Sequence, residues 1–173
     1  MGISRTLPGI SEELVRLEDV LKKQLETVDR LRQILDEKQK LLLAWRTDLL
    51  DEIVLTEDEA FSVLDELERA RIDITVEIAK LMEAEPDITL AQLIDFLGLP
   101  AEHPLTSLGA RLLNGMDEVR ELNSTNAFLA QNMVDYTSFV LRLFTQESDK
   151  TKYGADGTVE SEGIRRSILD RKA

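Results

Sequence analysis

Residues 105–144 read LTSLGARLLNGMDEVRELNSTNAFLAQNMVDYTSFVLRLF, and this stretch decides the fold. Apolar positions recur in alternating steps of three and four: Leu105, Leu108, Leu112, Gly115, Val119, Leu122, Asn126, Leu129, Met133, Tyr136, Val140 and Leu143. Ten of these twelve positions are large and apolar. Such spacing lays all of them along one stripe of a long helix that packs against partner helices. Gly115 and Asn126 interrupt the stripe.

The same rhythm extends N-terminally. Leu14, Leu17, Leu21, Val28, Leu31, Leu35, Leu42, Trp45 and Leu49 form one stripe, broadened by Val20, Leu25, Ile34 and Leu41. A stripe this wide suits a bundle better than a two-stranded coiled coil. Ser11, followed by Glu12 and Glu13, has the chemistry of a helix start: a hydroxyl cap and acids near the positive helix end. Met1–Ile10, with Pro8-Gly9 and no periodicity, reads as a flexible arm.

No Gly or Pro occurs between Ser11 and Glu85. A single helix of that length would run about 110 Å with nothing as long to pack on, so a turn must lie within it. Arg46-Thr47-Asp48 divides the stretch into helices of similar length, with Asp48 as a cap. Thr56-Glu57-Asp58-Glu59 has the capping-box pattern, placing the turn at 55–56 instead. Length-matching favours 46–48. The second helix then carries Ile53, Ala60, Leu64, Leu67, Ile74, Ile78 and Leu81, with Glu57 and Arg71 intruding. Thr89 opens a short helix that Gly98 stops.

These readings predict an all-α protein. Its elongated, mostly antiparallel helical bundle has three long helices plus one short helix, at about 11–45, 48–85, 89–97 and 105–149. An arm over 1–10 precedes it and a flexible C-terminal tail over 150–173 follows. The tail is electrostatically distinct. Residues 150–173 carry four acids and six bases, against 30 acids and 15 bases in residues 1–149.

The net charge of −13 argues against nucleic acid and anionic membrane surfaces as partners. With no cysteine, thiol catalysis and thiolate metal sites are excluded. The longest apolar run, Leu41–Trp45, is far short of the roughly 20 residues that span a bilayer, and a cytoplasmic location is expected. The single histidine, His103, lies between prolines and has no second ligand near it. No phosphate loop, nucleophile elbow or dinucleotide fingerprint is present. The expectation is a non-enzymatic protein without metal or cofactor.

Asn126 in the stripe needs a polar partner or water. The reading pairs it with Arg71 in a polar layer, joined by Asn123; the alternative leaves it facing water. Phe128, Leu141 and Phe144 lie on the flanks of the last helix. They either enlarge the core or form an apolar surface for another protein's helix. In the tail, Ile164, Ile168 and Leu169 would share a helical face beside Arg165 and Arg166, as in a segment that folds on a partner.

Three pieces together resemble the FlgN family of flagellar export chaperones. Leu122-Asn123-Ser124-Thr125-Asn126-Ala127-Phe128-Leu129 resembles its Leu-Asn-x-x-Asn segment, and Tyr153-Gly154-Ala155-Asp156-Gly157 its tail motif. Leu64-Asp65-Glu66-Leu67-Glu68-Arg69-Ala70-Arg71 is similar to the end of its central helix. The resemblance implies a chaperone that binds the hook-associated proteins FlgK and FlgL and delivers them to the flagellar type III export apparatus. It implies docking to the export gate protein FlhA through Tyr153, with Gly154, Asp156 and Gly157 in the same motif. Cargo binding falls to the C-terminal part, here including Ile164, Ile168 and Leu169, although the tail departs from the family pattern beyond Val159. A monomer or weak homodimer is expected. The alternative from the residues alone is a structural coiled-coil adaptor unrelated to export, whose tail is inert.

Overall fold

The computed structural model describes residues 8–84, 88–147, 152–153 and 159–160. They form α1 (Pro8–Leu43), α2 (Leu50–Leu81), α3 (Leu90–Leu97) and α4 (Pro104–Glu147), with a 3-10 turn at Thr47–Leu49. Two short strands follow, β1 (Lys152–Tyr153) and β2 (Val159–Glu160), paired antiparallel with Tyr153 opposite Val159. The architecture is an all-α bundle with one two-residue ladder in the tail. The chain divides into two compact units, Met1–Met133 and Val134–Ala173.

In the first unit α1 and α2 form an antiparallel hairpin, and α4 runs parallel to α1. Two apolar clusters fill it. One gathers Leu17, Leu21, Leu25, Ile74, Ile78, Leu93, Leu105 and Leu108 near the end closed by α3. The other gathers Val28, Leu31, Ile34, Leu35, Ile53, Ala60 and Val119 toward the α1–α2 turn. The α1 stripe contributes to both, with Leu17, Leu21 and Leu25 in the first and Val28, Leu31, Ile34 and Leu35 in the second, because it faces α2 and α4 together.

The N-terminal boundary differs from the expected arm over 1–10. The helix begins at Pro8, whose fixed φ and missing N–H suit the first helical position. Ile10 is buried, and Gly9 lies against Leu81. Residues 8–10 are therefore bundle, and Ser11 lies inside the helix.

Three helices end in the same way. Arg46 N–H donates to the Leu41 carbonyl and Trp45 N–H to that of Leu42, with Trp45 left-handed at φ 56°. At the end of α2, Ala84 N–H donates to Ala79 O and Glu83 N–H to Lys80 O, with Glu83 at φ 53°. The end of α3 repeats the pattern around Gly98 at φ 61°. Each is a Schellman motif, which satisfies carbonyls that the last turn leaves open.

The α1–α2 break thus spans residues 44–49. Asp48 caps nothing; its carboxylate takes two hydrogen bonds from Arg46, at 2.9 and 2.7 Å. Thr56 lies inside α2, where its hydroxyl donates to the Glu52 carbonyl at 3.0 Å, so the capping-box pattern there marks no turn. Thr89 does make a capping box: its hydroxyl accepts from Gln92 N–H, while the Gln92 side chain accepts from Thr89 N–H.

Candidate protein-binding surface

The polar residues on the helix stripes meet across the first unit. On α1 the spacing Leu17, Leu21, Gln24, Val28, Leu31, Leu35, Lys38, Leu42 is an unbroken three-four repeat with two polar members. On α2 the intrusions are Glu57 and Arg71. Gln24 and Lys38 are as far apart as Glu57 and Arg71, so one antiparallel register serves both pairs. Lys38 Nζ donates to Glu57 Oε2 at 2.5 Å, and Glu57 is buried. About four turns away, Gln24 Nε2 donates to Glu68 Oε2 at 3.0 Å, and Arg71 donates to both Glu68 oxygens at 2.8 and 2.6 Å. The Arg71 hydrogen bonds hold the Glu68 carboxyl below the usual carboxylate range, against partial burial and with help from Gln24. In turn Glu68 raises Arg71.

This replaces the expected Arg71–Asn123–Asn126 layer. Arg71 is committed to Glu68 on its own helix, and Asn123 is exposed. Asn126 is 1% exposed and donates through Nδ2 to the Leu35 carbonyl of α1 at 2.8 Å, leaving its Oδ1 buried without a partner. The cause is register. Arg71 borders the part of α4 near Gly109 and Leu113, more than three helical turns before Asn126. Gly115, the other interruption, serves close approach: a Cβ there would stand 2.8 Å from Val28 Cγ1. Both interruptions of the α4 stripe are therefore answered from α1.

Gln24, Lys38 and Glu68 were missed by the sequence reading. The signal for the first two was the repeat itself, which requires residues at 24 and 38 where only apolar members were sought. Nothing local marks Glu68, one turn before Arg71 and off the stripe.

In the second unit the helix surface changes character. Val134, Tyr136, Phe139, Leu141, Leu143 and Phe144 are each about half exposed or more. Tyr136, Phe139, Val140 and Leu143 are spaced to share one helical face. Leu141 and Phe144, at 60% and 68% exposure, do not enlarge a core, and neither does Phe128 in the first unit at 67%. Phe128 stands off the stripe by which α4 packs on α1, so burial has no claim on it. From Asn123 to Gln146 the sequence holds one acid and one base, in a chain of net charge −13. An apolar, aromatic-rich and nearly uncharged helix face has the chemistry of a protein-binding surface.

Of the tail residues singled out by sequence, Tyr153 lies in β1, paired with Val159. Gly154, Asp156, Gly157, Ile164, Ile168 and Leu169 lie outside the described residues. Among the described residues no group of His, Cys, Asp and Glu could hold a metal ion, and no helix is long and apolar enough to cross a membrane.

No curated protein and no solved structure matches the chain significantly. The family model described as FlgN protein matches residues 13–161, which take in most of α1, all of α2, α3 and α4, and both strands. On that match over most of its length, the chain belongs to the FlgN family.

Proposed function

We propose that this protein is a cytoplasmic flagellar export chaperone that holds the hook-associated proteins FlgK and FlgL and hands them to the export gate protein FlhA. Membership of the FlgN family supports the chaperone role. The observation that carries the reading is the face of exposed Tyr136, Phe139 and Leu143 around half-buried Val140, in the same unit as the ladder holding Tyr153. An amphipathic cargo helix buries its apolar face on such a surface, and the aromatic side chains supply large area at low entropic cost. In this reading Ile164, Ile168 and Leu169 extend the cargo contact. Tyr153, with Gly154, Asp156 and Gly157, addresses the gate.

Size exclusion of the purified chain with FlgK and with FlgL tests the first half: a co-eluting complex that Phe139→Ser and Leu143→Ser abolish is expected. Tyr153→Ala should leave that complex intact while export falls. Absence of any complex with either protein would sink the proposal. Deleting residues 150–173 separates it from a structural adaptor, which would keep its partner.

A further inference from the structure

The first unit carries a concave surface of its own. An open groove of about 690 Å³ runs between α2, α3 and α4, lined by Ile72, Leu90, Ile94, Gly109, Ala110 and Leu113 among others. Its volume falls within the range of roughly 300–1,000 Å³ typical of binding clefts. Its two lips carry exposed aliphatic side chains, Ile72 from α2 and Leu113 from α4. Gly109 lets Leu90 of α3 pack close against α4 (a Cβ there would stand 3.1 Å from Leu90 Cδ2), which shapes the groove floor, and the exposed Ala110 keeps the α4 wall low; α2 and α4 flank the groove lengthwise. A helix laid between them would bury its apolar side chains along the whole cleft.

Charge selects the occupant. The helices α2 and α3, which supply two of its walls, carry eleven acids and three bases. The one guanidinium at the groove, Arg71, is already held by Glu68. Asp95 lines the groove, and Asp65 lies two turns before Ile72 on the same side of α2. Both are exposed, and neither forms an ion pair among the described residues. We infer that this groove docks a cationic amphipathic helix of another protein, aliphatic side chains inward and Lys or Arg beside Asp65 and Asp95. The inference does not rest on the Tyr136–Leu143 face.

Two synthetic helical peptides test this against the full-length chain by fluorescence anisotropy. Both carry the same leucine face; one has flanking lysines and the other glutamates. The lysine peptide should bind, weakening as salt rises, and the glutamate peptide should not. Leu113→Glu should weaken the lysine peptide about tenfold or more, the loss expected when a central contact is removed. That variant also makes the protein more negative, so merely electrostatic attraction would strengthen instead. Asp95→Lys should weaken binding and flatten its salt dependence. The inference is overturned if the lysine peptide fails to bind or if Leu113→Glu leaves its affinity unchanged. It is equally overturned if Phe139→Ser abolishes the binding, which would place the peptide on the other face. Cargo binding lost in Phe139→Ser but kept in Leu113→Glu would show the two surfaces to be independent.

Discussion

Lys38 of α1 and Glu57 of α2 meet at 2.5 Å across the hairpin interface about two turns from the α1–α2 break, with the Glu57 side chain 8% exposed. A charged pair at a stripe position contributes little net stability, because desolvation offsets most of the attraction. Its effect is on register. The layer one half-length away, where Gln24 meets Glu68 and Arg71, has the same antiparallel alignment. A shift of α2 by one heptad would bury each polar group against leucine.

Removing one partner should therefore cost more than removing both. Lys38→Met leaves the Glu57 carboxylate buried alone and is expected to destabilise by about 1–3 kcal/mol. Lys38→Met combined with Glu57→Leu should return to within roughly 1 kcal/mol of the natural chain, or above it. Urea unfolding of the four proteins in the cycle measures this; additive losses would show that the pair is not coupled.

Glu68 gives the interface a dependence on acid. Its carboxyl is held low in the folded state chiefly by Arg71, so folding favours the charged form. The contribution is complete above the ordinary glutamate value of about 4.3 and is lost as pH falls through the lower folded value. Glu68→Gln should accordingly be less stable than the natural chain near neutrality, and the difference should shrink steadily below about pH 4. Since the Glu68 side chain is 44% exposed, added salt should reduce the effect. A difference that persists at low pH would assign the role to packing instead of charge.

How far the sequence could be read depended on whether each signal was local. Periodicity located the three long helices, because burial of one stripe dictates which side chains are apolar whatever the neighbours are. Gly98 and Thr89 announced the ends of α3 through chemistry within one turn. The ends of α1 and α2 were obscured because their left-handed positions hold Trp45 and Glu83, side chains that ordinarily avoid that conformation. The partner of Asn126 was illegible for a different reason. It is a backbone carbonyl, Leu35, which carries no sequence signature, and finding it requires the α1–α4 register. The exposed aromatic face after Met133 has the same spacing as buried stripe. Sequence gives its period but not whether anything lies against it.

The left-handed Glu83 leads to a stabilising change. An L side chain there costs roughly 1–2 kcal/mol in the αL region, whereas glycine does not. Glu83 is exposed, so no packing is lost on its removal. Part of the gain is offset by the extra freedom that glycine gives the unfolded chain. Glu83→Gly is expected to raise stability by about 0.5–1 kcal/mol, seen as a higher midpoint in thermal unfolding. An unchanged or lowered midpoint would mean that the Glu83 side chain supports the α2 end in a way its exposure does not reveal.

Gly115 calls for the opposite expectation, although it sits in mid-helix, where alanine ordinarily gains about 0.5–1 kcal/mol over glycine. A methyl group there would stand 2.8 Å from Val28 Cγ1. Val28 is fully buried, and its branched side chain has little rotamer freedom to retreat. The overpacking cost of about 1–3 kcal/mol exceeds the propensity gain, so Gly115→Ala should destabilise the chain. Val28→Ala alone should also destabilise it, by opening a cavity. Together the two exchange volume across one contact: the alanine methyl on α4 fills space vacated on α1. The double variant should then be more stable than the sum of the single losses predicts, by about 1 kcal/mol or more in a double-mutant cycle. Strict additivity would show that α4 relieves the contact by moving as a body, and that Gly115 does not fix its distance from α1.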